Sequence, residues 1–246
     1  MSETVTTVII IPSYCETLAL PALLQELKSG LSRNHAILIM DDSPQELSQE
    51  VKDGCISAMQ GSNCHFIFDN ASVKSGRGAA VRRGMVQALS NFPNVEHIME
   101  CDADGSHRAV DILKILNSES NADLLVGSRY LPTSKIIGWP LSRRVFSYLL
   151  NHTIPRITQV NLRDITNGLR KYSKHAAQAI LAKPQINKGF IYLSEQAILV
   201  SSSGLKISEE PIVFIDRTLG KSTVTWREIT NSLSGIGRLL LTNRKS

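Results

Sequence analysis

Aromatic residues are few, 5% of the 246-residue chain with only two tryptophans, and they are not interleaved with basic residues in the way that stacks single-stranded bases. Zinc-finger spacing and a basic leucine-zipper pattern are also missing, so nucleic acid is not an expected partner, although the net charge is +5. Cysteine is scarce too. Cys15, Cys55, Cys64 and Cys101 form no CxxC pair and sit in or beside apolar segments, which argues against a structural zinc site and predicts buried, reduced thiols. No apolar run approaches the roughly 18 to 20 residues that cross a bilayer. The N-terminus has no basic segment followed by a signal-like apolar core, and the expected location is the cytoplasm.

What is present is an alternation of two periods. β-rich runs at residues 6–11, 36–40, 64–68, 95–100 and 124–126 are separated by helical patterns at 18–31, 45–59, 78–89 and 110–116. Such repetition predicts an α/β fold with a mostly parallel central sheet and helices on both faces. Three strand candidates empty into polar clusters: Pro12-Ser13-Tyr14-Cys15-Glu16, Asp41-Asp42-Ser43-Pro44 and Asp102-Ala103-Asp104. In open α/β sheets ligands bind beyond the carboxyl ends of the strands, so the three clusters are expected to converge on one crevice. After about residue 130 the pattern changes to a Gly138-Trp139-Pro140 turn, a basic amphipathic stretch at 141–150, helical stretches at 173–182 and 191–200, and strands within 206–214 that return to the sheet. Ile229, Leu233, Ile236 and Leu240 have the spacing of an amphipathic helix near the C-terminus.

Asp102 and Asp104 stand one residue apart at the end of an apolar run. Alternate strand residues point the same way, so both carboxylates can face one hard divalent ion, Mg²⁺ or Mn²⁺, shared with substrate phosphates. A solvated Asp loop is the plainer alternative. His107 is open between a metal ligand, a base, a helix-start residue and a partner that orients a ligand. The Gly76-x-Gly78 turn lacks the Lys-Ser/Thr of a P-loop, but helix N-terminal amides there are expected to help hold an anion. Asp42, just ahead of the next helical pattern, is a candidate N-cap of that helix.

Taken in order, these residues resemble the family-2 glycosyltransferases of GT-A fold, and within them the dolichol-phosphate and polyprenol-phosphate mannose synthases. Ile9-Ile10-Ile11-Pro12-Ser13-Tyr14-Cys15-Glu16 is similar to an apolar strand ending in Pro-x-Tyr-Asn-Glu, with Cys15 in place of Asn. Met40-Asp41-Asp42-Ser43-Pro44, Gly76-Arg77-Gly78-Ala79-Ala80, Asp102-Ala103-Asp104-Gly105-Ser106-His107 and Gly127-Ser128-Arg129-Tyr130 follow in register. The second half resembles the polyprenol-phosphate branch through the run 138–147, Asp164-Ile165-Thr166-Asn167-Gly168-Leu169-Arg170, Lys188-Gly189-Phe190 with Glu195, and the run 210–222.

The resemblance implies an inverting transfer of mannose from GDP-mannose to a polyprenyl (dolichyl) phosphate. Related alternatives are UDP-glucose or another nucleotide sugar as donor, a saccharide acceptor, and a nucleotide-sugar-binding module without catalysis. Pro12, Tyr14, Glu16, Asp41, Asp42, Asp102 and Ala103 would bind the donor, and Asp102, Asp104 and Ser106 the metal. Arg129, Arg143 and Arg217 would hold the acceptor phosphate with planar guanidinium forks, and Ser147, one helical turn after Arg143, would add a hydroxyl. Asp104, Arg129, Arg143 and Arg217 are the expected catalytic group. Arg144 and Arg170 read as surface solubility, and Glu195 as a base without a place. The organisation expected is one domain over 1–246, with a nucleotide-sugar and metal half to residue 130, a helical acceptor-side lobe over 131–225 and an amphipathic helix over 226–246. Apolar and aromatic residues beside Arg143 and Arg144 point to peripheral contact with the cytosolic face of a membrane, with a small membrane-embedded subunit as a possible partner.

Overall fold

Strand β1 (Thr7–Ser13) lies inside a seven-stranded sheet, and its Val8-Ile9-Ile10-Ile11 run is fully buried on both faces. A continuous apolar run is what a strand covered by helices on two sides requires. β1 pairs in parallel with β2 (His35–Asp41) and with β4 (His97–Glu100), and β2 pairs in parallel with β3 (His65–Asn70). The computed structural model describes residues 4–217.

The pleat divides the core in two. Ile9 and Ile11 face one way, with Ile37, Ile39 and Met99, against α1 (Ala19–Leu27), α2 (Gln45–Met59) and α4 (Ala109–Leu116). Val8 and Ile10 face the other, with Leu38, Met40 and Ile98, against α3 (Arg77–Asn91), α6 (Lys174–Leu181) and α7 (Tyr192–Ser202). Each buried aliphatic side chain contributes about 1.5 to 3 kcal/mol relative to exposure. Helix α3 approaches β1 closely because Gly84 carries no Cβ, which would fall 2.7 Å from Ile10 Cγ2.

The sheet order is β3-β2-β1-β4-β7-β5-β8, with β5 (Leu124–Ser128), β7 (Arg170–Ser173) and β8 (Ile207–Pro211) completing it. Only β7 is antiparallel to its neighbours, so the fold is the mostly parallel α/β arrangement expected. The short β6 (Lys135–Ile137) and β9 (Val213–Ile215) pair separately. Helix α5 spans Leu141–Thr158, extending past the basic stretch recognised in the sequence.

Strand β7 was not expected. Arg170-Lys171-Tyr172-Ser173 has neither alternation nor an apolar run, yet it fills the gap between β4 and β5. Its cations are buried by carbonyls: Arg170 donates to the carbonyls of Ile165, Asn167 and Leu193, and Lys171 Nζ caps those of Leu116 and Ser118. The solubility role read for Arg170 is therefore wrong, because its side chain has no exposure at all. The helix expected over 226–246, and the Lys221-Ser222 segment of the resemblance, lie outside the described residues.

Candidate active site

The three polar clusters meet at the carboxyl edge of β1, β2 and β4. Cys15 turns the chain there in the left-handed region, φ 59°, and its amide donates to Ser43 Oγ at 2.7 Å. Ser43 in turn donates to Asp41 Oδ1 at 2.7 Å, and Asn70 Nδ2 lies 2.9 Å from Asp41 Oδ2. Asp42 receives the Ser75 amide and hydroxyl at 2.8 and 2.6 Å and Arg83 Nη2 at 3.1 Å. It caps no helix: Pro44 occupies the N-cap of α2. Pro12, Tyr14 and Glu16 are half-buried along the same edge, and Lys74 Nζ sits 4.2 Å over the Tyr14 ring.

Asp102 and Asp104 follow β4, with side chains 20% and 15% exposed, so both are recessed but reachable. Burial acts to raise the Asp102 carboxyl, but the neighbouring basic groups together, led by the Arg77 guanidinium with its Nε 2.8 Å from Oδ1, hold the group below the usual carboxylate range. Asp104 Oδ1 accepts the Ser106 amide at 3.0 Å, and Oδ2 lies 3.2 Å from Arg217 Nη2. Burial, then Asp104 and, more weakly, Asp102, push the Glu16 carboxyl up, against Arg217, which lowers it. Ala103 differs from its neighbours: its methyl group is in the core, so it can offer a ligand only backbone.

This donor set fits a hard divalent cation. Two recessed carboxylates lie close enough to Glu16 to act on its charge, and the adjacent Ser106 Oγ is buried without a hydrogen-bond partner. Among the described residues no three His, Cys, Asp or Glu side chains gather as a metal-binding group. His107 is an orienting residue. It is fully buried, its Nδ1 accepts the Asp102 amide at 3.2 Å, and its Nε2 lies 2.9 Å from Asn167 Oδ1, which places the ring proton on Nε2.

An arginine wall faces these carboxylates. Arg129 follows β5 and lays Nε and Nη2 on the two Asp164 oxygens, each at 2.8 Å, with Nη2 also 2.8 Å from Thr166 Oγ1. Trp139 lies between two arginines: Arg143 Cζ is 4.2 Å and Arg129 Cζ 5.1 Å from its ring centre. Arg143 Nη1 reaches Asp216 Oδ1 at 2.7 Å. Ser147 is buried on α5 and receives the Tyr130 hydroxyl at 2.8 Å. Arg217 joins the wall to the carboxylates through Asp104.

Two further expectations change. Glu195 is not a base: its oxygens hold the amides of Ile186 and Asn187 and the Asn187 side chain, pinning the loop before α7. The amides at the start of α3 are not an anion site, since Gly78 N–H donates to Lys188 O and those of Ala79 and Ala80 to Gly76 O. One signal was missed. Residues 124–163 contain no Asp or Glu but six Arg and Lys, and α5 exposes Leu141, Val145, Tyr148, Leu149 and Ile157 on this stretch. A groove of about 460 Å³ runs beside α5, lined by residues that include Tyr130, Tyr148, Asn151, His152, Arg156 and Arg163.

Comparison with known proteins agrees with this arrangement. The family model described as "Glycosyl transferase family 2" matches residues 8–181. An undecaprenyl-phosphate mannosyltransferase of Micrococcus luteus is 31% identical over 217 residues, 88% of this chain and 86% of that protein. A polyprenol monophosphomannose synthase of Mycolicibacterium smegmatis is 28% identical over 92% of this chain and 84% of its own. Among solved structures, glucosyl-3-phosphoglycerate synthase of Mycobacterium tuberculosis, in complex with Mn²⁺, UDP and glucosyl-3-phosphoglycerate, superposes with a TM-score of 0.60 at 13% identity, over 96% of this chain and 77% of that one. With β1, β2 and β4 delivering their polar ends to one crevice and the family match covering most of the sheet, the chain belongs to glycosyl transferase family 2 and is a glycosyltransferase of GT-A fold.

Proposed function

We propose that the chain transfers mannose from GDP-mannose to a polyprenyl (dolichyl) phosphate, with inversion, at the crevice between the carboxylates and the arginine wall. The observation that carries this reading is the 3.2 Å contact between Arg217 and Asp104, which sets a guanidinium able to bind phosphate beside one of the two carboxylates that follow β4. The names of the two polyprenol-phosphate relatives support the acceptor class and the sugar.

On this reading Pro12, Tyr14, Glu16, Asp41 and Asp42 bind the nucleoside, with Ala103 contributing backbone. Asp102 and Asp104, with Ser106 directly or through water, hold Mg²⁺ or Mn²⁺. When bound, the ion offsets the negative charge that gathers on the departing diphosphate. Arg143 and Arg217 exchange their carboxylate partners for the acceptor phosphate. Arg129 stays fixed by Asp164 and offers its remaining nitrogen, and Ser147 adds a hydroxyl. An acceptor phosphate oxygen forms the new bond to the anomeric carbon as the bond from that carbon to the donor diphosphate breaks, so one displacement inverts the centre. The phosphate monoester is already anionic and needs no general base. That agrees with His107 being buried and hydrogen-bonded and Glu195 being engaged by its loop.

The acid-free stretch 124–163 and the apolar residues exposed on α5 suit the cytosolic face of an anionic membrane, with the groove beside α5 receiving the first isoprene units. Among the described residues no helix is long and apolar enough to cross a bilayer, and a small membrane-embedded subunit would supply firmer anchorage. The test is to incubate the protein with polyprenyl phosphate and either GDP-mannose or UDP-glucose, with and without Mn²⁺, and weigh the organic-extractable product. Metal-dependent mannosyl lipid supports the proposal. Glucosyl lipid alone would replace the donor, and sugar found only on a water-soluble acceptor would reject it.

A further inference from the structure

The orientation of Asp102 is set from outside the carboxylate pair. Arg77, at the first position of α3, places Nε 2.8 Å and Nη2 2.7 Å from the same oxygen, Asp102 Oδ1. Its Nη1 lies 3.0 Å from Glu100 Oε2, and Nη2 also donates to Gly168 O at 3.3 Å. Glu100 is fully buried on β4, where the Tyr172 hydroxyl meets Oε1 at 2.6 Å and the Tyr192 hydroxyl meets Oε2. Residue 168 is fitted to the guanidinium: a Cβ there would fall 2.5 Å from Arg77 Nη2, 3.0 Å from Cζ and 3.2 Å from Asp102 Oδ1.

We propose that Arg77 is a positioning residue for the cation site: braced on Glu100 and seated against Gly168, it occupies Asp102 Oδ1 and leaves Oδ2, 3.6 Å from His107 Nδ1, as the oxygen that can meet the ion. The inference rests on the carboxylate pair binding a divalent cation, but its working parts lie outside that pair. A carboxylate free to rotate offers either oxygen and loses that freedom on coordination, whereas one clamped through Oδ1 is ordered beforehand. The clamp needs a rigid fork with separately directed nitrogens, which a lysine ammonium cannot reproduce. A purely structural Arg77 would serve only to neutralise Glu100, and any cation in that place would do.

The experiment is a Mn²⁺ titration followed by electron paramagnetic resonance, in the presence of GDP and, separately, UDP, on the wild type, Arg77→Lys and Gly168→Ala. Arg77→Lys keeps the charge beside Glu100, and Gly168→Ala keeps Arg77 but displaces its guanidinium. Thermal melting reports which variants fold. Both folded variants are expected to bind Mn²⁺ about tenfold more weakly, the usual scale for groups that orient a metal ligand. Nucleotide binding measured without metal should be unchanged. Wild-type Mn²⁺ affinity in either folded variant would overturn the role of Arg77. A wild type that takes up no Mn²⁺ with either nucleotide would instead remove the cation reading, and this inference with it.

Discussion

Arg217 Nη2 and Asp104 Oδ2 lie 3.2 Å apart, so the side chain expected to grip the acceptor phosphate rests on a carboxylate expected to hold the metal. On that reading arginine and metal compete for one oxygen. Arg217→Ala should tighten Mn²⁺ binding about fivefold, roughly the 1 kcal/mol assigned to an ion pair at a protein surface. The same change should raise the KM for polyprenyl phosphate. Calorimetric titration with Mn²⁺ checks the first part, and weaker binding in the variant would contradict competition.

Glu16 provides a pH test. Burial first, then Asp104, raises its carboxyl above the ordinary value of 4.5. A group with a raised folded-state pKa contributes stability below its unfolded pKa and loses that contribution as pH climbs through the folded value. In the metal-free protein Glu16→Gln should therefore raise Tm at neutral pH, and the gain should fade as pH falls toward 4.5 and be absent below it. Melting curves between pH 4 and 8 suffice, and an equal change in Tm throughout would refute the charge argument.

Arg170→Met should lower unfolding free energy by more than about 3 kcal/mol, because it strands three buried carbonyls and removes positive charge beside Glu100. Urea denaturation measures it. A midpoint like that of the wild type would mean that the strand repairs itself around the loss.

Cys15→Asn should stabilise the protein by about 0.5 kcal/mol, since asparagine tolerates the left-handed conformation that cysteine adopts here at φ 59°, and the amide bond to Ser43 is retained. Cys15→Val should do the reverse, as a β-branched side chain suits that conformation least. A lower Tm for the asparagine variant would count against backbone strain.

Much of the site was legible because its geometry is local. Asp102 and Asp104 stand one residue apart beyond a strand, and the clusters after β1, β2 and β4 share an edge as soon as the strands are parallel. Strand β7 was hidden because what makes it a strand is remote: the carbonyls that bury Arg170 and Lys171 come from residues 116–118, 165–167 and 193. Arg77 was misleading for a related reason. Gly76-Arg77-Gly78 looks locally like an anion-binding turn, while the guanidinium's partners belong to the end of β4 and to Gly168. Glu195 and His107 carry side chains suited to catalysis, and only tertiary packing reveals that the first pins a loop and the second orients the backbone of Asp102.

The most direct measurement is the initial rate of mannose transfer from GDP-mannose to polyprenyl phosphate by Asp104→Ala beside the wild type, at saturating Mg²⁺ or Mn²⁺ and with folding confirmed by melting. Losing a carboxylate that gathers the donor diphosphate should cut the rate by a factor on the order of 10³, as loss of a preorganised electrostatic contact at the reacting charge does elsewhere. Mannosyl lipid formed by the folded variant at the wild-type rate would contradict the account.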